Sequence, residues 1–529
     1  MIFPRVKQSK MGDLHPWRTP VRVFGDACEH ILFVLREMMP YIPFERAASA
    51  EDTTLCAVTE PALSDREEYY ELTVAAGRVE MRAVDYAGLV HAVATLSGIV
   101  RCENGEFLLP DATVRDYPDT AFRAFMSDPA RNRVPTDELC AQILCMARAK
   151  YNKLHLHLSD GKGFAYESKV YPDLPVAPGG AYTRAELERI IDYAAAFGID
   201  VIPEIDLPAH SYALTKARPE LRCQCADGPD PDGWNVCLAN EESYALMESL
   251  LCELAAIFPY EYIHVGTDEM NMTDILHAPP LPISHSLECR VCNAFFAPMG
   301  ADTLPARFCY FVRRAHAMIT ALGKKMMMWN DDVDISKSPD IPRDILIEFW
   351  RVAAEGRGPV EGCSMQRFLD EGFEVVNADF PNAYVDEYVQ WEKLAAWNLR
   401  REPADAGALA EQIVGGEMCA WEGKNYPHYD YVLYYTLAAF GDRTWNLSPI
   451  GDLTKAQISL TRVSLGCDCP DGFDLFAYTD GVPMGDAKEK SGNVWRAGAD
   501  LASLKAQLNA LTHQSADQIY LKNALLKLM

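Results

Sequence analysis

The sequence predicts a (β/α)8 barrel of the TIM type, preceded by a small α+β domain and followed by a helical C-terminal extension. The chain has 529 residues, which is enough for one large domain with satellites. From about residue 120, short apolar segments alternate with longer helical ones, as is typical of a parallel α/β fold. Eight such segments are found, the number that closes a barrel. We place the α+β domain at 1–115, the barrel at 116–455 and the extension at 456–529.

The N-terminal region is predicted to combine short strands with one helix. Residues 70–74 and 78–83 alternate between apolar and polar side chains on either side of an Ala-Gly pair, which indicates a hairpin. Residues 86–99 have the spacing of an amphipathic helix. No catalytic motif is found in this unit.

The barrel strands are predicted from apolar runs that end in polar or aromatic residues. The helix between the second and third strands has the clearest signals, because Thr183 and Glu186 form a capping box and Gly198 follows the last apolar position. In the extension, residues 501–528 predict a helical tail that packs on the outside of the barrel. The eight strand candidates are 123–126, 153–158, 200–205, 262–265, 326–329, 345–350, 375–378 and 417–421.

The charge balance limits the class of ligand. Lys and Arg number 49 against 76 Asp and Glu, a formal net charge of −27. Such a field repels phosphate backbones and anionic lipids, so nucleic acid and membrane surfaces are poor partners, whereas a neutral sugar suits it. Residues 1–20 lack the apolar run of a signal peptide, and no run reaches the ~18 apolar residues of a membrane span. We therefore expect a cytoplasmic protein if Met1 is the native start; the sequence does not determine its oligomeric state.

Polar and aromatic residues follow nearly every predicted strand, where barrel active sites lie. Asp268 and Glu269 form an acidic pair after an apolar strand and Gly266. Most acidic pairs are simply solvated surface, and a Trp at a strand end is as compatible with the core as with a pocket. Two carboxyls in a Trp-lined pocket, one protonated and one ionised, suit acid/base chemistry on a glycosidic bond. The other candidates at strand ends are Arg123, Asp128, His155, His157, Asp160, Glu204, Asp206, His210, His264, Trp329, Trp350, Arg351, Tyr384, Asp386 and Trp421.

Four stretches carry a resemblance in the same order along the chain. Residues 264–269 read His-Val-Gly-Thr-Asp-Glu, and residues 201–210 contain Pro-Glu-Ile-Asp-Leu-Pro-Ala-His. Residues 122–128 with Arg131, and residues 153–160, supply the other two. Together they resemble family 20 glycoside hydrolases, the β-N-acetylhexosaminidases, whose signature His-x-Gly-Gly-Asp-Glu has Gly where Thr267 stands. The resemblance spans about residues 65–450, and its specificity comes from the joint order of the motifs.

The resemblance implies removal of a terminal β-linked GlcNAc or GalNAc from a glycan, with retention of configuration and no cofactor. In that family the substrate's own 2-acetamido oxygen attacks C1 and forms an oxazolinium ion. The implied catalytic residues are Glu269 as general acid and base, Asp268 on the acetamido N–H, and Tyr384 on the acetamido oxygen. The implied sugar-binding residues are Arg123 on O3 and O4, Asp386 on O4 or O6, the wall Trp329, Trp350 and Trp421, and the pair Asp160 and His210 behind Glu269.

One departure from the family pattern keeps alternatives open. The family has Trp-x-Glu after the eighth strand, whereas this chain reads Trp421-Glu422-Gly423. Recognition of O4 and O6 is therefore open, including release of a disaccharide or preference for a 6-sulfated sugar. A catalytically silent sugar-binding barrel is a further alternative, although none of the implied catalytic residues has been lost.

Two cysteine pairs indicate a possible metal site. Cys223 and Cys225 follow the third strand, and Cys289 and Cys292 follow the fourth. Because these loops are neighbours in a barrel, the four thiolates are predicted to hold a structural zinc ion. The competing interpretation is four reduced, unlinked thiols, and a disulfide suits a cytoplasmic protein less well.

Overall fold

A computed structural model describes residues 1–226, 228–230, 232–270, 284–330, 333, 335, 340–350, 364–380, 382–385, 391–402, 406–421, 429–479, 495–496 and 498–529. The N-terminal unit is a mixed sheet in the order β1-β8-β5-β6-β4-β2-β3, with β7 beside β8. Its strands are β1 (Gln8–Pro16), β2 (Val21–Gly25), β3 (Phe44–Arg46), β4 (Leu55–Thr59), β5 (Tyr70–Ala75), β6 (Arg78–Ala83), β7 (Arg101–Glu103) and β8 (Glu106–Asp116).

The predicted hairpin and helix of this unit are confirmed, with two differences. A second helix, α1 (Cys28–Met38), precedes the predicted one, α2 (Tyr86–Ile99). The prediction that α2 is amphipathic is wrong, because its residues from Gly88 onward are all buried. The helix lies between the sheet and the barrel helix α3 (Thr136–Arg148), so every face of it has an apolar neighbour.

Eight parallel strands close the predicted barrel. Seven begin and end within about two residues of the expected positions, and the eighth begins four residues earlier than expected. The reason is Gly415, where a Cβ would lie 1.6 Å from the carbonyl oxygen of Phe122, so only glycine lets these strands pair. The barrel strands and the two short hairpins beside them are β9 (Phe122–Ser127), β10 (Lys153–His157), β11 (Ser159–Asp160), β12 (Gly163–Phe164), β13 (Asp200–Glu204), β14 (Gln224–Cys225), β15 (Gly228–Pro229), β16 (Tyr262–His264), β17 (Lys325–Trp329), β18 (Leu346–Phe349), β19 (Val375–Asn377) and β20 (Ile413–Ala420).

Helices surround the barrel, and the capping box predicted for α4 is present. Thr183 Oγ1 accepts a hydrogen bond from the Glu186 N–H at 3.2 Å, and Glu186 Oε2 accepts one from the Thr183 N–H at 2.9 Å. The remaining helices are α4 (Arg184–Ala195), α5 (Tyr212–Ala217), α6 (Glu241–Ile257), α7 (Arg290–Phe296), α8 (Leu304–Ala321), α9 (Met365–Asp370), α10 (Trp391–Ala396), α11 (Tyr429–Trp445), α12 (Leu453–Leu465), α13 (Leu501–Ala510) and α14 (Ala516–Lys527).

The C-terminal helices pack on the outside of the barrel, as predicted, with α14 against α3 and α11. Buried Arg148 of α3 joins the three parts of the chain: it donates to Ser97 Oγ at 2.8 Å, to Ser515 Oγ at 2.8 Å and to Asp517 Oδ2 at 3.0 Å. The predicted domain boundaries stay predictions; β8 ends at Asp116, and α12 runs across residue 455.

No helix within the described ranges is both long enough and apolar enough to cross a membrane. The cytoplasmic location expected from the N-terminal sequence stays a prediction.

Candidate active site

Aromatic side chains line the carboxyl-terminal mouth of the barrel. Trp329 ends β17, and Trp350 directly follows β18. Tyr384 comes after β19 and forms an isolated β-bridge with Cys419 of β20. Trp421 directly follows β20. The Trp421 ring lies 5.8 Å from the Trp329 ring and 6.3 Å from the Tyr384 ring, which is itself 6.3 Å from the Trp350 ring. The four predicted aromatic residues thus form one continuous wall, of the kind that stacks on a sugar face.

The acidic pair lies at the same mouth, beside a buried histidine. His210 Nε2 is 3.4 Å from Asp268 Oδ2 and 3.3 Å from Glu269 Oε2. On its other side, His210 Nδ1 is 2.9 Å from Asp160 Oδ2, which also accepts from Arg131 Nη2 at 2.8 Å. A chain of ionisable groups therefore runs from Arg131 through Asp160 and His210 to the two carboxyls.

The charges along this chain are set by burial and by neighbours. Burial alone lowers the pKa of His210, but Asp206, Asp268 and the hydrogen bond with Asp160 raise it well above the ordinary value. The pKa of Asp160 is held well below its ordinary value, because Arg131 and the two histidines beside it outweigh its burial. At neutral pH an imidazolium thus separates the ionised Asp160 from the Asp268–Glu269 pair.

Asp206 lies behind the Asp268–Glu269 pair, and its pKa is shifted in the opposite direction from that of Asp160. Burial and the charge of Asp268 raise the pKa of Asp206 well above its ordinary value. Asp206 is therefore the carboxyl of this group whose surroundings favour the protonated form.

The backbone after β16 turns sharply to present the two carboxyls. Gly266, Thr267 and Glu269 all have positive φ, at 65°, 79° and 53°. A Cβ on Gly266 would lie 1.9 Å from Asp206 Oδ1, so this position requires glycine. The same Oδ1 atom accepts a hydrogen bond from the Thr267 N–H at 3.2 Å, which fixes the turn. Thr267, the departure from the family signature, therefore occupies a backbone conformation that a β-branched residue rarely adopts.

Trp234 is a site residue that the sequence analysis missed. Its ring lies 4.4 Å from that of His210, and its Nε1–H donates to the carbonyl oxygen of Glu269 at 3.0 Å. Trp234 comes from the long loop after β13, in a stretch of Gly, Asp and Pro that has no periodicity. No local signal could have identified it, because only the folded loop brings it to Glu269.

Arg123 is not at the mouth, although the resemblance assigned it to sugar hydroxyls. It is the second residue of β9 and is fully buried. Its guanidinium donates to the carbonyl oxygens of Lys150 at 2.8 Å and Thr120 at 2.7 Å, and it pairs with Glu68. The arginine at the mouth is Arg131, whose guanidinium lies 4.8 Å from the Trp421 ring. Both arginines belong to the same motif. Arg123 lies near the start of β9 and Arg131 lies beyond its end, so their surroundings differ.

The predicted histidines and glutamates of the strands form a buried ionic network below the mouth. His155 Nδ1 lies 2.7 Å from Glu417 Oε1, and His264 Nδ1 lies 3.1 Å from Glu204 Oε1. The same Glu204 Oε1 accepts from the Trp329 Nε1–H at 2.9 Å. His157 also pairs with Glu204. Burial opposes protonation of His157, but the charge of Glu204 and the hydrogen bonds with Asp160 and Glu204 together raise its pKa to about 10. Within this network Glu204 is an ion-pair partner of the histidines and orients the base of the wall.

Several predicted residues lie outside the described part of the chain. They are the strand-end candidates Arg351 and Asp386, and Glu422 after the eighth strand. The place of Asp386 on O4 or O6 therefore stays a prediction.

The cysteines of the two long loops also come together, with one change of membership. The sulfur atoms of Cys223, Cys237, Cys289 and Cys292 all lie within 4.8 Å of one another, and all four residues are buried. Cys225, which was expected in the group, lies instead beside His285 and Glu288. Cys225 ends β14 and pairs with Gly228 at the end of the hairpin with β15, where it lies outside the group of four sulfurs.

Comparison with known proteins agrees with this geometry. The profile "Glycosyl hydrolase family 20, catalytic domain" matches residues 121–448. The chain is 24% identical over 439 residues to the β-hexosaminidase subunit A1 of Dictyostelium discoideum, covering 79% of this chain and 78% of that protein. It is 28% identical over 388 residues to the β-N-acetylhexosaminidase of Cellulomonas fimi, covering 67% and 69%. The crystal structure of the β-N-acetylhexosaminidase from Bacteroides fragilis superposes with a TM-score of 0.73 at 20% identity, covering 85% of this chain and 92% of that one. The chain therefore belongs to glycosyl hydrolase family 20 and is a glycoside hydrolase of the β-N-acetylhexosaminidase family.

Proposed function

We propose that the protein is a retaining exo-β-N-acetylhexosaminidase, which removes terminal β-linked GlcNAc or GalNAc with the help of the substrate's own acetamido group. The observation that carries this proposal is the pair Asp268–Glu269 at the aromatic mouth, with His210 in contact with both carboxyls. A sugar stacked on the Trp421 side of the wall would present its anomeric carbon to this pair.

In the first step, Glu269 gives its proton to the glycosidic oxygen while the acetamido oxygen attacks C1. The bond between C1 and the leaving oxygen breaks, and an oxazolinium ion forms. Asp268 accepts a hydrogen bond from the acetamido N–H and offsets the positive charge that develops on the acetamido group. In the second step, Glu269 takes a proton from water and the water oxygen bonds to C1. The bond between C1 and the acetamido oxygen breaks, so the oxazolinium ring opens and the released sugar has the original β configuration.

Tyr384 is proposed to hold the acetamido oxygen in line with C1. Burial raises the pKa of Tyr384 well above its ordinary value, so the phenol keeps its proton and donates a hydrogen bond. Donation to the acetamido oxygen fixes its direction and selects the rotamer that reacts. Trp350, whose ring lies 6.3 Å from that of Tyr384, closes the same side of the pocket.

Arg131 takes the role that the resemblance gave to Arg123. Its guanidinium is held by Asp128 Oδ2 at 3.1 Å and Asp160 Oδ2 at 2.8 Å and lies over Trp421. A guanidinium held in this way beside the Trp421 ring can donate hydrogen bonds to two neighbouring sugar hydroxyls. Recognition at O4 and O6 depends on Asp386 and Glu422, so the choice between GlcNAc, GalNAc and their 6-sulfates is left to the experiment below.

The test compares nitrophenyl β-glycosides of GlcNAc, GalNAc, their 6-sulfates and a disaccharide with the plain β-glucoside. We expect the acetamido sugars to be hydrolysed and the glucoside to be nearly inert, because it lacks the internal nucleophile. A thiazoline analogue of the oxazolinium ion should inhibit far more strongly than the product sugar. Efficient hydrolysis of the β-glucoside would exclude the mechanism. Binding of GlcNAc without turnover of any glycoside would instead favour a silent sugar-binding barrel.

A further inference from the structure

The four-cysteine cluster beside the active site has the composition and shape of a metal centre. Cys223, Cys237, Cys289 and Cys292 are each at most 1% exposed. The Cys237 sulfur lies 3.4 Å from that of Cys292 and 3.9 Å from that of Cys289. A tetrahedral zinc thiolate with Zn–S bonds of about 2.3 Å has S···S edges of about 3.8 Å, which matches these separations.

The surroundings of Cys289 favour a thiolate over a thiol. Cys289 Sγ accepts hydrogen bonds from the backbone N–H of Gln224 at 3.2 Å and of Cys292 at 3.4 Å. Amide donors aimed at sulfur stabilise negative charge on it. A thiolate buried against three further cysteine sulfurs needs a compensating cation, and a divalent ion bound by all four sulfurs supplies one.

We infer that Cys223, Cys237, Cys289 and Cys292 bind one Zn²⁺ ion in a closed structural site. All four positions of a tetrahedron are taken by protein sulfur, so no site is left for water or substrate, and the ion has no part in the chemical step. Cys225 is not a ligand of this ion. The inference does not depend on which glycoside the enzyme cleaves.

The site ties the loop after β13 to the loop after β16, close to the general acid. Cys237 lies three residues after Trp234, whose indole donates to the Glu269 carbonyl at 3.0 Å. The segment between them is fixed at both ends: the Ser211 N–H donates to Trp234 O at 2.9 Å, and the Cys237 N–H donates to Leu221 O at 2.8 Å. A metal bound to Cys237 and to the 289–292 turn therefore limits the movement of Trp234, and with it of Glu269.

The primary test is the metal content of the full-length protein, purified without chelator and without a metal-affinity tag. We expect about one zinc ion per chain. Cys237→Ser should lose the metal, whereas Cys225→Ser, a thiol change two residues from a ligand, should keep it. Cys140→Ser, on helix α3, is a further control that should keep it. Zinc retained in Cys237→Ser, or lost equally in Cys225→Ser, would overturn the ligand assignment.

Two measurements keep the inference testable if Cys237→Ser does not fold. Replacement of zinc by Co²⁺ in the wild-type protein should give the visible bands of a tetrahedral tetrathiolate. Titration of wild-type thiols with a mercurial should release zinc in step with four cysteines. Purified protein that contains no zinc, that contains iron in its place, or that shows disulfides between these cysteines would refute the inference.

The zinc ion should also affect activity, solely by holding Trp234 and Glu269 in position. Dialysis against a chelator should lower kcat/KM by about ten- to a hundredfold, because a shift of Glu269 by a fraction of an ångström costs about that much. Adding back Zn²⁺ alone should restore it, and excess zinc should give no further gain. The inhibition pattern of the thiazoline analogue should be unchanged in the restored protein, so failure of the zinc site and failure of the proposed mechanism are distinguishable.

Discussion

Arg131 and Arg123 belong to one sequence motif, yet their replacement should have opposite consequences. In Arg131→Ala, the fork over Trp421 is lost, together with the contact that holds Asp160 Oδ2 at 2.8 Å. In Arg123→Ala, a fully buried guanidinium disappears from between Glu68 and the carbonyl oxygens of Lys150 and Thr120. The first change removes a group from the mouth, and the second leaves two carbonyl oxygens without their guanidinium donor and Glu68 without its buried cation.

The magnitudes follow from these contacts. Two hydrogen bonds from a charged donor to sugar hydroxyls contribute about 3 kcal/mol, so Arg131→Ala should lower kcat/KM about a hundredfold. Removing one partner of a buried ion pair costs about 3–5 kcal/mol of folding free energy, so Arg123→Ala should lower Tm by about 4 °C in a chain of 529 residues. Burial opposes ionisation of Glu68, whereas the charge of Arg123 and the contact with His91 lower its pKa, so the variant keeps His91 but not Arg123 to offset that burial.

The assay is steady-state kinetics per active site, counted by titration with a tight inhibitor, together with thermal unfolding of the same samples. Arg131→Ala should lower Tm less than Arg123→Ala does, since its guanidinium is partly exposed and its partners keep other contacts. Arg123→Ala should keep nearly wild-type kcat/KM per active site at low temperature. A stable Arg123→Ala enzyme with a hundredfold loss of kcat/KM, beside an unaffected Arg131→Ala, would refute the structural assignment and restore the assignment from the motif.

Three further predictions rest on single residues. Glu269→Gln should slow hydrolysis of glycosides with basic leaving groups by several orders of magnitude and of activated aryl glycosides much less; equal losses would argue against its role as acid. Thr267→Gly should raise the free energy of unfolding by about 1 kcal/mol, because the residue has φ of 79° and its buried Oγ1 has no hydrogen-bond partner among the described residues, while Thr267→Ala, which keeps the strained φ, should gain less in chemical denaturation. Burial raises the pKa of Asp379 to about 7, so the contribution of Asp379 to stability should fall as pH rises from about 4 to 7, and the stability of the wild type relative to Asp379→Asn should fall over the same range; parallel stability curves of the two proteins would contradict the assignment.

The barrel could be predicted because its signals are local. Each strand is a short apolar run, and the capping box of α4 defines a helix start within four residues. The prediction was incomplete where a tertiary contact decides the outcome. The early start of β20 depends on the approach of Phe122 to Gly415, and the complete burial of α2 depends on the barrel helix behind it.

The same distinction between local signals and tertiary contacts applies to the residues of the active site. Residues that directly follow strands could be predicted, because barrel geometry brings all strand ends to one mouth. Trp234 and Cys237 could not, since they lie far along a loop whose path is fixed only by its contacts. Spacing favoured Cys225 over Cys237, yet Cys225 lies at the end of the β14–β15 hairpin, and the folded loop brings Cys237 to Cys223 instead.

The position of Glu269 is determined by contacts from three separate parts of the chain. Its backbone conformation depends on the turn at Gly266, which Asp206 anchors through the Thr267 N–H. Its carbonyl is held by Trp234, and its carboxyl lies 3.3 Å from His210. A general acid must stay within hydrogen-bond reach of the leaving oxygen and later of a water molecule, so a rigid position matters at both steps. The strained backbone at Thr267 is thus a cost in folding stability that serves this requirement, and the contacts with Trp234 and His210 hold the residue that the strained turn presents.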